Sequence, residues 1–414
     1  MPQEIANVVL KAQSINCNNS DLCRSPAEVI ISCSAILFLC AWATAHPSVP
    51  RYPHSSSWMT LVRDNRNDGL ISAIWFFFEE NRTALAILGL VAPEYLVFRA
   101  VQVWLQSCAA LRRIKSKLLA PSASVGCSQF KPSLALYPAC SWTETHVQFL
   151  YMRGFQLSGM SNRLVDLNWS HDDLPQILSV TTKDIRDKSK ADSGAKLMAT
   201  IQLLWFILQG VSRKVGGFTI TNLELTTLAN VVLTTVLYFF CWNRPLDIRT
   251  PLVIHAENRM AILEPLGLVE TSPPTEPKLP TRVWLGARLA GPSEEAPRSI
   301  FAIFMTVLVS ASFLGIHGAT WDKGFPSETE CRIWNFSMVF SGLSIVIALS
   351  MSHALAKGTL KNSIGGIILV LLTALVYLVA RTSFFILALS TLRTLPSDPR
   401  AYLIPAWIRY FPHV

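Results

Sequence analysis

The sequence predicts an all-α protein: a polytopic transmembrane bundle of about seven helices with two long extramembrane loops. Three observations carry this. First, seven mostly apolar stretches (27–45, 83–105, 195–213, 221–242, 299–317, 333–354 and 364–391) are long enough to cross a ~30 Å hydrocarbon core at about 1.5 Å rise per residue. Second, charged residues are only 15% and hydrophobic residues 51% of the 414, against about 25% charged in soluble domains. Third, mean hydropathy is +0.36, and runs such as 300–317 and 364–380 hold no Asp, Glu, Lys or Arg. In lipid every backbone N–H and C=O must find a partner within the protein, so such spans are helices.

Taken in order, residues 1–23 carry Glu4, Lys11, Asn16, Asn18, Asn19 and Asp21 and lack a basic segment followed by an apolar one. No cleavable signal peptide is expected, and the first span reads as an uncleaved anchor. The second span holds Pro93-Glu94 and is followed by Arg112, Arg113, Lys115 and Lys117. That flank suits a stop-transfer signal or contact with anionic headgroups. In the long segment 106–194, Pro121, Pro132 and Pro138 mark extended loop. Residues 142–157 mix Trp142, Val147, Phe149, Leu150 and Phe155 with Glu144, His146 and Arg153. Such a helix fits the membrane surface or the side of the bundle equally well.

Thr181 or Thr182 can cap a helix whose first turns place Asp184 and Asp187 at the positive end of its dipole. One continuous helix from about 183 to 213 is expected. The proline-rich segment 243–298 reads as a solvated loop. No internal repeat is present, so an inverted-repeat transporter has no support. The N-terminus and the loops after even-numbered spans hold roughly twice the Lys and Arg of the other side, which predicts a cytosolic N-terminus and cytosolic long loops, with 393–414 lumenal or extracellular.

The net charge of +9 is dispersed, so the expected partners are the lipid bilayer and a hydrophobic small molecule rather than nucleic acid. The nine cysteines form no CxxC pair; Cys33, Cys40 and Cys241 fall in spans, while Cys17 with Cys23 and Cys127 with Cys140 are loop pairs suited to a lumenal compartment. Sequons at Asn18, Asn81, Asn168 and Asn335 predict little glycosylation, because the two on the predicted lumenal side hug the membrane.

Local wording then becomes recognisable. His46-Pro-Ser-Val-Pro50, Pro93-Glu94, Arg186-Asp-Lys-Ser-Lys-Ala-Asp192, Thr221-Asn-Leu-Glu-Leu-Thr-Thr-Leu-Ala229, Asn243-Arg-Pro-Leu-Asp-Ile248 and Ala401-Tyr-Leu-Ile-Pro-Ala-Trp-Ile-Arg-Tyr-Phe-Pro-His413 resemble a group of uncharacterised multi-pass membrane proteins of filamentous fungi. The resemblance runs from about residue 30 to the end. It implies a fungal membrane protein of about seven spans and transfers no activity.

Chemistry has few candidates. Asp184, Asp187 and Asp192 are the nearest approach to a metal motif, of the kind magnesium-diphosphate chemistry on isoprenoids uses. Arg186, Lys188 and Lys190 alternate with them, so capping and i,i+4 ion pairs account for the pattern. No metal and no cofactor is expected. His317 and His353 end the fifth and sixth spans, where interfacial capping accounts for each, and His171-Asp172-Asp173 reads as a solvated turn. No phosphate loop, serine elbow or zinc helix occurs. The intramembrane ionisable residues weigh more: Glu94 at the middle of the second span, Arg381 just past the middle of the seventh, and Arg99 and Glu224 nearer the interfaces. Charges at mid-membrane cost roughly 2.5–3.5 kcal/mol each on insertion scales, so Glu94 and Arg381 should meet or share a polar cavity. Three classes of function remain open. One is an enzyme or accessory protein acting on a lipid-like or isoprenoid intermediate in fungal secondary metabolism. The others are a transporter or receptor-like protein with a central polar site, and a non-catalytic scaffold.

Overall fold

In a computed structural model the described residues are 24–49, 78, 80–118, 142–157, 180–190, 193–254, 295–321, 325–356 and 364–393. The architecture is all-α. Its helices are α1 (Pro26–Thr44), α2 (Arg82–Val91), α3 (Pro93–Leu118), α4 (Glu144–Tyr151), α5 (Thr182–Lys188), α6 (Ser193–Val215), α7 (Asn222–Phe240), α8 (Glu295–Gly318), α9 (Glu328–Ala356) and α10 (Ile364–Ser390). A short parallel ladder joins β1 (Phe155–Leu157) to β2 (Leu252–Ile254), with Gln156 opposite Val253.

Local sequence sets most helix starts. Ser25 caps α1 with Pro26 in its first turn, Asn81 caps α2, and Thr221 with Glu224 forms a reciprocal capping box on α7. Gly217, at φ +73, ends α6 in a left-handed turn that a side chain would strain.

Among the described residues six helices (α1, α6, α7, α8, α9, α10) are long and apolar enough to cross a membrane, and the count is seven when the bent α2–α3 pair is taken as one span. Large apolar side chains such as Ile368, Leu371, Leu372, Leu375, Val379 and Ile386 face outward along α10. A soluble monomer rarely exposes so continuous an apolar surface, and hydrocarbon is its natural solvent. The chain is an integral multi-pass membrane protein. α7 is the central helix: 72% of its membrane window is buried, against 33% or less for the other five.

The expected second span differs from a straight crossing. α2 and α3 meet at Ala92–Pro93 with a bend of 115°. Pro93 has no N–H to give to the preceding turn, and its ring forces the residue before it out of helical geometry. The outer ends of both helices lie at one end of the bundle. Arg82, opening α2, stacks on Trp42 at 4.1 Å and pairs with Asp247, which follows α7. Ala110, near the end of α3, packs with Val49 after α1, Ile185 before α6 and Ile248 after α7. The pair therefore enters and leaves at the same end. Meanwhile Trp104 meets Phe240 edge-on at 5.3 Å, so Glu94, about 15 Å back along α3, sits near the middle of the depth of α7.

The connection 119–181 therefore starts and ends at this same end, where the 241–294 segment also begins. The opposite end holds Arg24, Arg213 and Glu224, from the start of α1, the end of α6 and the start of α7. Residue 24 and the start of the 241–294 segment therefore lie at opposite ends of the bundle, which differs from the common side that charge over seven spans predicted.

Two further expectations change. The helix predicted over 183–213 is broken: α5 ends at Lys188, and Ser189 and Lys190 turn away to bond Leu246. The start of the 243–298 segment is ordered rather than loose, since Leu246, Lys188 with Pro251, and the β2 ladder tie it down. Residues 142–157 pack on the bundle: Trp142, Val147, Phe149 and Phe155 are buried with Ala110 and Ile248. Gly154 is required in this turn, because a Cβ there would lie 2.3 Å from the Phe149 ring. The loop cysteines, the Asn18 and Asn168 sequons, His171 and Asp192 lie outside the described residues.

Candidate polar centre inside the bundle

Glu94 opens α3, where the N-terminal half of the helix dipole favours a carboxylate. Arg381 projects from α10 and reaches both sides of the helix break. Its Nη2 donates to Glu94 Oε2 at 3.0 Å, and its Nε donates to the Val91 carbonyl at 2.9 Å, one of the carbonyls that the break at Ala92–Pro93 frees. Both side chains are fully buried. Tyr377, one turn before Arg381 on α10, donates its hydroxyl to the same Oε2 at 2.7 Å. The guanidinium also lies 3.7 Å from the centre of the Phe313 ring on α8. A buried cation in so apolar a place needs this set of partners, and each of them comes from a different turn of the fold.

The centre continues toward the opposite end of the bundle. Phe313 also lies against His317, ring centres 4.1 Å apart and tilted, and the imidazole packs further on Phe384 at 4.6 Å and Trp334 at 5.4 Å. His317 is fully buried, where the sequence predicted an interfacial cap. Its Nδ1 lies 2.9 Å from the Phe313 carbonyl, which can only accept; the proton is thereby assigned to Nδ1 and a lone pair to Nε2.

The other candidates lie elsewhere. Glu224 completes the α7 capping box and is clasped by Arg24, with Arg213 3.7 Å away, which closes the opposite end of the bundle. Burial excludes the snorkelling expected for it. Arg99 is half-buried on α3, outside the Glu94–Arg381 pair. Asp184 caps α5 through the Thr181 N–H and hydroxyl, and these bonds hold its carboxyl below the usual range. Asp187 is exposed, and among the described residues no three His, Cys, Asp or Glu side chains gather into a metal site.

Several participants carried no strong signal in the sequence. Tyr377 could be found by its i,i+4 spacing to Arg381, which places both on one helix face. The Val91 carbonyl and Phe313 could not, because only tertiary contact brings them in. Lys196 was also missed: its ammonium donates to the Trp242 and Arg244 carbonyls at 2.8 Å, capping the end of α7.

Outside the bundle, an open cleft of about 400 Å³ is lined by Thr143, Glu144, Thr145, Thr182, Arg186 and Asn243. Burial raises the Glu144 carboxyl, although Asn243 and Gln148 both donate to it. Nearby, His146 donates from Nε2 to Val180 O at 3.1 Å and accepts the Thr143 N–H on Nδ1 at 3.1 Å, while burial lowers its affinity for a second proton. The segments that gave the resemblance converge here: Ser189 and Lys190 bond Leu246, and Lys190 pairs with Asp247.

No curated protein and no solved structure matches the chain. A family model does match, over residues 11–269, a stretch that runs from α1 through β2 and holds Glu94 and Glu224 but not Arg381. Since that stretch is more than half of the 414 residues, the chain belongs to the Family of unknown function (DUF8562).

Proposed function

We propose that this protein is a membrane transporter whose working centre is Glu94, Arg381 and Tyr377 and whose moving part is the broken α2–α3 pair. The observation that carries the reading is a fully buried acid and base meeting at a helix break. Intramembrane ionisable groups are expensive, and broken helices in lipid recur where a polar path must be built from backbone. Glu94 Oε1 is buried and meets no donor among the described residues, so the centre retains an acceptor for a donor-bearing guest.

The enzyme reading, on a lipid-like or isoprenoid intermediate of fungal secondary metabolism, is supported by the resemblance to proteins of filamentous fungi. Asp184 is engaged as a helix cap, which weighs against diphosphate chemistry at that segment.

Water access separates a working centre from a sealed structural pair. In membranes carrying a variant with its native cysteines replaced, Ala92→Cys should react with a membrane-impermeant maleimide added on the side of the long connections. A cysteine that reacts only after denaturation would leave the pair structural and end the transporter reading.

A further inference from the structure

We infer that Glu94 and His317 together form a proton-binding site inside the bundle, so that the guest of the polar centre is a proton. The inference rests on the transporter reading and deepens it. Among the described residues two fully buried acceptors face no donor: Glu94 Oε1, and His317 Nε2 with its lone pair. An unsatisfied buried acceptor costs about 1–3 kcal/mol, and two of them along one contact chain call for an occupant that donates. The chain is continuous. Glu94 bonds Arg381, Arg381 lies over the ring of Phe313, and His317 packs against that same ring. It leads from the middle of the bundle to the last turn of α8.

Protonation of Glu94 takes the counter-charge from Arg381, but the guanidinium keeps its bond to the Val91 carbonyl and its place on Phe313. Tyr377 keeps a carboxyl oxygen to donate to. His317 and Arg381 both rest against the Phe313 ring, and like charges this close in an apolar interior repel, so a second positive charge is disfavoured while Glu94 is neutral. The two groups therefore share one proton. It is held on Nε2 of an imidazolium beside an ionised Glu94, or on the Glu94 carboxyl beside a neutral His317, and each transfer leaves one lone pair and one N–H or O–H in exchange. Among the described residues, Glu330 of α9 pairs with Arg393, Glu328 of α9 with Arg332, Arg82 of α2 with Asp247, and Glu224 of α7 with Arg24 and Arg213.

Infrared difference spectra of the purified full-length protein, recorded as pH is lowered, test this. A carboxylic-acid C=O band of a buried group should appear in the wild type and vanish in Glu94→Gln. In His317→Gln the band should persist and its low-pH plateau should rise about 1.5-fold or more, because no imidazole competes for the shared proton. Trp334→Phe, which alters packing on the His317 ring without removing a titrating group, should leave the plateau height in place. Persistence of the band in Glu94→Gln, or equal plateau heights in wild type and His317→Gln, would overturn the shared site. Labelling of Ala92→Cys with no such band would reject the proton and keep the transporter. The band without labelling would do the reverse.

Discussion

Arg381 and Glu94 are 287 residues apart in sequence and 3.0 Å apart in the fold, joined at the point where a helix is broken by proline. The arginine closes the break chemically: one nitrogen satisfies a carbonyl of α2, another the acid of α3. A polar gap in the bundle interior is thus held by two side chains of α10, Arg381 and Tyr377.

The pair should therefore behave as a coupled unit. Glu94→Gln alone strands a buried cation and should lower stability in detergent by about 3–5 kcal/mol, whereas Glu94→Gln with Arg381→Met should cost less than the single change. Equal losses in single and double variants, read by thermal or denaturant unfolding, would show that the two residues are energetically independent.

The bend also makes a statement about sidedness. Because Arg82 and Ala110 both lie at the Asp247 and Ile248 end, single cysteines at Glu80 and Lys115 should be labelled from the same side of the membrane. A cysteine at Ser25 should be labelled from the other side. About two-thirds of all Lys and Arg then fall on the long-connection side, which the positive-inside tendency assigns to the cytosol. Opposite sides for residues 80 and 115 would restore a seventh crossing.

Acid should loosen the domain packed outside the bundle before it affects the helices. His146 is held neutral, with Nδ1 accepting the Thr143 N–H, and burial puts its folded affinity for a second proton below the ordinary value near 6.5. The undocked state binds that proton more readily, so the docking free energy is fully present above about pH 6.5 and falls as pH drops below it. Hydrogen exchange of α4 should accelerate over this range in the wild type. His146→Gln should flatten that dependence, and an unchanged slope in the variant would assign the effect to other groups.

The membrane class of the protein was legible in the sequence because hydropathy is additive along a chain: twenty apolar residues are long enough to cross lipid whatever surrounds them. Helix starts were legible for the same local reason, as Thr181 with Asp184 illustrates. The price of a buried charge made Glu94 and Arg381 stand out before any geometry was known. Depth and partnership were not legible. Residues 83–105 read as one span, since a proline permits a bend without setting its angle. What chose the return path was the packing of Ala110 on Val49 and Ile248 and the pairing of Arg82 with Asp247. Likewise His317, placed at a span end by the sequence, is buried because Phe313, Trp334 and Phe384 close around it from three helices. The sequence by itself determined which segments enter the membrane, through local transfer energies. The tertiary structure alone decided which charges meet and which end each segment faces, because those depend on contacts between residues far apart in the chain.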